Sequence, residues 1–259
     1  MYSFRRRRIP AGICVLFAAD IALVVAPTLD YLAGSPFSAV RNWLSLDSEF
    51  SLPAWYSSMQ WFCAAMLFGL IPAYLWKRRL PGMWALAALA LLCLVFSIDE
   101  ILGIHEWLGR QSDALLPHGH RDHTLFSRTG IWPIVIGLPV VAILAALLLS
   151  LKRVYTRSGK HACRRLVAGV IVMFSGALLV ELANNFMETA VAGGGLALLQ
   201  VVVEEFLEMV GVTVIIWAAY DFTVAHGFAL SVPSGAIAEH GAGRTAEKSG
   251  PSRLEPVTR

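Results

Sequence analysis

Apolar residues in this chain come in six long blocks, at roughly 10–32, 54–76, 82–108, 131–151, 166–190 and 196–222. None shows the alternation of a half-buried strand or the sharp polar face of a surface helix. Uniformly apolar blocks of about 20 residues are the length that crosses a bilayer as a helix. Helices are the economical solution, because lipid gives backbone N–H and C=O groups no partner. The pattern predicts an all-α fold, a polytopic bundle of six transmembrane helices over residues 1–226. From residue 227 the apolar blocks stop. Residues 227–259 are Ala, Gly, Ser, Pro and scattered charge, a composition that buries too little to order itself and predicts a disordered cytoplasmic tail.

Local signals sharpen the block ends. Ser51-Leu52-Pro53 reads as a helix start, with Ser51 as cap and Pro53 in the first turn. Trp55, Tyr56 and Trp61 are expected at one membrane interface, and Trp76, Trp84 and Trp217 at the other. The basic start, the apolar run and Val24-Val25-Ala26 resemble a cleavable leader, but Asp20 interrupts the run and its length favours a retained first helix.

Composition agrees with the pattern. Charged residues make up 15% and hydrophobic residues 57%, against roughly 25% charge in soluble domains. The basic residues account for the pI of about 8.8 through topology rather than nucleic-acid binding. Arg5 to Arg8, then Lys77 to Arg79, then Lys152, Arg153, Arg157, Lys160, Arg164 and Arg165 fall on one side of the predicted bundle. Only Arg41, Arg110, Arg121 and Arg128 fall on the other, a split of thirteen against four. The positive-inside rule then puts both termini in the cytoplasm and the protein in a bacterial inner (plasma) membrane. Cys14, Cys63, Cys93 and Cys163 form no C-x-x-C pair and read as small packing residues. There is no sign of an internal repeat, and no signal for oligomeric state.

What changes the picture is acid at membrane depth. Asp99-Glu100 running on to His105-Glu106, Glu181 to Glu188, and Glu204-Glu205 with Glu208 all lie inside or at the ends of apolar blocks. An ionised side chain at the bilayer centre costs roughly 2.5–3.5 kcal/mol on insertion scales, so such groups mark function by default. Alternating helix directions bring the three motifs to the outer half of the membrane. Asp99 and Glu106 should superpose on one helix face, and Glu181, Asn184, Asn185 and Glu188 should share an arc, as should Glu204, Glu205 and Glu208.

Eight neighbouring carboxylates cannot all be ionised without compensation. A metal, retained protons, or pairing with Arg110 and Arg128 would each supply it. Carboxylates with an imidazole suit iron, manganese or zinc. The expected ligands are Asp99, Glu100, His105, Glu106, Glu181, Glu204 and Glu208, with Glu205 or Glu188 as catalytic proton carrier. The absence of any Glu-x-x-His departs from the four-helix di-metal pattern. The expected function is a metal-dependent membrane oxidoreductase on a lipid or apolar substrate. The alternatives are a proton- or cation-coupled carrier using the same acids, and a membrane assembly protein with a structural polar core. His118, His120, Asp122 and His123 form a second, loop-borne cluster, either solvated or covering the membrane site. Asp20 is a network partner or a helix-packing residue.

The Ser51–Ser58 entry, the Asp99-Glu100…His105-Glu106 segment and the Glu204-Glu205…Glu208…Gly211 segment together resemble a group of uncharacterised bacterial polytopic membrane proteins. The resemblance covers the second to sixth helices and implies no activity.

Overall fold

The computed structural model describes residues 9–46, 48, 50–78, 82–121, 124–154, 159–186 and 194–226. The tail predicted from residue 227 lies outside these. Among the described residues the chain is all-helical, with no strand. Helix α1 is Ala11–Leu32, α2 is Ser38–Trp43, α3 is Leu52–Arg78 and α4 is Met83–Leu102. After these come α5, Ile104–Ser112, α6, Leu138–Val154, α7, Lys160–Phe174, α8, Glu181–Asn184, and α9, Gly194–Ala225. Two 3-10 turns, Asp113–Leu115 and Pro117–Gly119, follow α5, and two π-helical segments complete the described elements, Pro133–Gly137 leading into α6 and Ser175–Val180 joining α7 to α8.

Five helical stretches are long and apolar enough to cross a membrane: Ala11–Leu32, Leu52–Lys77, Met83–Leu102, Pro133–Lys152 and Lys160–Ala183. The sixth long helix, α9, spans 32 residues and carries Glu204, Glu205, Glu208 and Asp221. It differs from the others in position as well as charge. It packs against α7, α3 and α1, and its Val212, Ala218, Ala219 and Phe222 are fully buried. A central helix is wrapped by its neighbours and has lipid to avoid on fewer sides, so it can carry acids.

The predicted cap at the start of α3 forms, with Ser51 Oγ accepting from the Ala54 N–H at 3.3 Å. Two expectations change. The third predicted helix does not run unbroken to 108: Gly103 takes a left-handed conformation at φ +57, ends α4 and starts α5. An L side chain there would be strained, and glycine is not. Asp99 and Glu106 therefore belong to different helices and do not superpose. Nor do Tyr56 and Trp61 face outward from the bundle. Trp61 is 4% exposed and stacks at a tilt on Phe96, while Tyr56 points into the bundle. Trp55 is exposed, as are Trp76 and Trp84, which meet edge to face at the opposite end.

The core gathers towards the end bearing the basic loops, where Phe68, Leu75, Leu86, Leu151, Leu166 and Phe222 are all but inaccessible. Close helix contact is set by glycine. A Cβ on Gly211 would lie 2.5 Å from the Met173 backbone N, and one on Gly176 would lie 2.6 Å from the Glu204 carbonyl oxygen. Small residues let membrane helices approach backbone to backbone. Here they press α9 onto α7 and its π segment along the stretch that carries the acids.

Candidate functional site: an acidic chamber beside an apolar one

At the bundle end opposite the basic loops lies a chamber of about 440 Å³. Asp99 and Glu100 enter it from the last turn of α4, His105 and Glu106 from the first turn of α5, Glu181 from the start of α8, and Glu204, Glu205 and Glu208 from α9. The structure thus brings together every acid and the histidine of the three membrane-depth motifs, apart from Glu188, which lies outside the described residues. The π segment Ser175–Val180 advances the helix register just before Glu181. Such segments recur at functional sites because they re-aim the side chains that follow.

Local bonding organises these groups. His105 Nδ1 lies 2.7 Å from Asp99 Oδ2, and the His105 backbone N–H donates to Asp99 Oδ1 at 2.8 Å. One carboxylate therefore caps α5 and orients its imidazole, across the break that Gly103 creates. The His105 ring also packs 5.6 Å from the Trp132 ring. His105 lies beyond the spanning part of α4. Burial pushes its imidazolium down, but the Asp99 hydrogen bond, the Asp99 charge and the charges of Glu100 and Glu106 outweigh this and leave its pKa raised. Glu181 lies within interaction range of Trp132 and Glu204. Glu100 lies within interaction range of Ser57 and Trp61. Glu106 is exposed and pairs with Arg110 one turn on, at 3.2 Å.

Among the described residues, no three His, Cys, Asp or Glu side chains are placed to hold a metal ion together. The acids surround a space rather than a point.

A cap covers this end of the bundle. Asn185 Oδ1 accepts the N–H groups of Arg128 and Thr129, and its Nδ2 donates to Thr129 Oγ1. Arg121 binds Asp113 at 2.6 Å and the Arg128 carbonyl at 3.0 Å. Gly130, at φ +74, makes room for the Arg121–Asp113 pair, since a Cβ there would fall 2.5 Å from Asp113 Oδ1. Arg128 and Trp132 reach the chamber from this cap. In the histidine-rich loop His120 is exposed, while Asp122, His123 and the His118 side chain lie outside the described residues.

Two features were missed in sequence. The first is an apolar chamber of about 260 Å³ adjoining the acidic one, walled by Phe96, Ile136, Val140, Phe174 and Leu178 among others. Asp99, Glu100, His105, Trp132, Glu204 and Glu208 border both chambers. No sequence motif marks it, because its residues come from four separate apolar segments. The second is the extent of a buried network deeper in the bundle, in which Asp20 is the network partner that the sequence allowed for. Asp20, fully inaccessible, accepts from Tyr56 at 2.7 Å, Gln60 at 2.9 Å and Thr213 at 2.8 Å. Gln60 Nε2 also approaches the Met209 carbonyl at 3.4 Å, one residue past Glu208. Gln60 and Thr213 were visible only as single polar residues in apolar runs. Nearer the basic end, Arg165 pairs with Asp221 and lies 3.9 Å above the Trp217 ring.

No curated protein and no solved structure matches the chain. One family does, over nearly the whole of the helical part. An acid-bearing helical bundle without assigned activity is what the motif resemblance led us to expect, and by its match over residues 12–224 the chain belongs to the family described as a domain of unknown function, DUF8692.

Proposed function

We propose that the protein is a proton-coupled carrier of a cation, built as a six-span bundle in a bacterial inner membrane. In this reading α9 is the sixth span, both termini are cytoplasmic, and the acidic chamber opens on the outer face. The observation that carries it is a chamber lined by seven carboxylates, Glu181 and Glu204 among them, and only two basic side chains among its described lining, His105 and Arg128. Such a site holds protons when empty of cations and gives them up when a cation arrives. The Asp20–Tyr56–Gln60–Thr213 network extends polar groups inward from Glu208, and the Arg165–Asp221–Trp217 contact closes the cytoplasmic end. That combination suits an outward-facing carrier.

The test is proton flux in liposomes holding the purified protein and an imposed pH gradient. A transported cation should collapse the gradient, and Glu181→Gln or Glu204→Gln should abolish the response. A gradient indifferent to inorganic and organic cations alike would sink the carrier. Reporter fusions after Arg79 and Arg157 should read cytoplasmic, and one at His120 periplasmic.

One observation favours a second reading, a metal-dependent oxidoreductase acting on a lipid or apolar substrate. The apolar chamber would place such a substrate against His105. In the neutral tautomer that donates from Nδ1 to Asp99, Nε2 would carry the lone pair, the arrangement that orients metal-binding histidines. Iron, manganese or zinc would then draw in carboxylates that are now apart. Near-stoichiometric metal in protein purified without chelator, together with no proton flux, would select this reading.

A further inference from the structure

We propose that the two chambers form one bipartite site for an amphipathic organic ammonium ion, with its cationic head among the acids and its hydrocarbon chain in the apolar chamber. The inference rests on the carrier reading and names the class of its cargo. An inorganic cation would have use for the acids alone. It would leave unexplained a second cavity, more than half as large, that shares Glu100, Glu204 and Glu208 with the first. Water gains little in a space walled by Phe96, Ile136, Val140, Phe174 and Leu178, and an alkyl chain gains most there. The boundary between the chambers is where a head group would sit. Carboxylates line it, and Trp132 borders both sides. Carboxylate acceptors and an indole face are complementary there to the same positive, N–H-donating head group.

The route in is also visible. Val95, Ile104 and Leu108 line the apolar chamber and are 47%, 38% and 38% exposed on the perimeter of the bundle. These exposed apolar residues put the opening of the chamber on the side of the bundle, beside α4 and α5, where the carrier reading places the outer leaflet. An amphiphile residing in the outer leaflet would enter tail-first along that wall and reach the acids without crossing water. Binding balances simply. The ammonium keeps its protons, a carboxyl loses one to the aqueous phase, and the resulting carboxylate pairs with the head group.

Decylammonium, ethylammonium and decanol distinguish the parts. Titrated into wild-type protein in weakly buffered non-ionic detergent, decylammonium should bind saturably with proton release. Ethylammonium should bind at least tenfold more weakly, since each buried methylene contributes about a fourfold gain. Decanol should release no protons. Glu204→Gln with Glu208→Gln should remove decylammonium binding. Val95→Trp, at the exposed rim, should weaken decylammonium several-fold and leave ethylammonium unchanged. Equal affinity for the two amines, or decylammonium binding untouched by the Glu204→Gln/Glu208→Gln pair, would overturn the proposal. Proton flux with a small cation but no decylammonium binding overturns it while leaving the carrier standing. Saturable decylammonium binding without flux supports this site and removes the carrier.

Discussion

Adding one methyl group at Gly176 or Gly211 tests how tightly the acid-bearing helix is held. At Gly211 the new Cβ would sit 2.5 Å from the Met173 N and Cβ and 2.7 Å from its Cα. At Gly176 it would sit 2.6 Å from the Glu204 carbonyl and 2.9 Å from Glu208 Cγ. Ordinary contact begins near 3.4 Å, so α9 must retreat from α7 by the best part of an ångström at either site. The obstacles at Gly211 are backbone or Cβ atoms, which cannot swing aside. Overpacking of this kind costs about 1–3 kcal/mol. Against it stands a gain of about 0.5–1 kcal/mol from replacing glycine by alanine in a helix. Gly12 isolates that gain, because a Cβ there meets nothing within 4 Å. Unfolding in mild detergent should therefore rank Gly12→Ala at or above wild type and Gly176→Ala and Gly211→Ala clearly below. Gly176→Ala should also weaken cation binding, as it displaces Glu204 and Glu208. If both buried substitutions prove as stable as Gly12→Ala, the α7–α9 contact is looser than described and the reasoning fails.

Three further outcomes are expected. Tyr56→Phe and Thr213→Val each remove a donor from the buried Asp20 carboxyl and should each cost about 1–3 kcal/mol in unfolding measurements. The double variant should fall short of their sum, because both act on one acceptor group. Arg165→Ala strands Asp221 and uncovers Trp217, and should destabilise by on the order of 1–3 kcal/mol. This is less than for a fully buried pair, because Arg165 is 31% exposed. Alanine at exposed Arg164 should be neutral. Since the His105 pKa is raised in the fold, its stabilising contribution is complete below the ordinary histidine value of about 6.5 and is lost as pH rises through the raised folded value. Asp99→Asn should lower the His105 pKa measured by NMR and flatten that part of the stability–pH curve. An unchanged titration would detach Asp99 from His105.

Membrane-depth charge made the site legible in sequence. A carboxylate in an apolar block is costly wherever it faces lipid, so Asp99, Glu100, Glu181 and Glu204 had to converge. Alternating helix direction was enough to say at which end. The Gly103 break was not legible, because apolar content runs straight through it and a single glycine within a long helix is usually tolerated. The apolar chamber was invisible for a different reason. Phe96, Val140 and Phe174 look the same in sequence whether they fill a core or line a cavity, and only the spacing of packed backbones separates the two cases. Gln60 and Thr213 are intermediate: their polarity was plain, but the partner that explains it, Asp20, lies on a helix 40 or more residues away in sequence.

The walls of the acidic chamber differ in their freedom to move. On one side α9 is seated on α7 with backbone against backbone at Gly176 and Gly211, and neither helix can slide without unpacking the other. On the other side α5 is joined to α4 through a single left-handed glycine, bridged by the bond between Asp99 and the His105 N–H. The α7–α9 side, which carries Glu204 and Glu208, is therefore the tightly packed wall of the chamber, whereas the α4–α5 side, which carries His105 and Glu106, turns on one glycine and one hydrogen bond. Where the imidazole stands relative to the glutamates is set at Gly103.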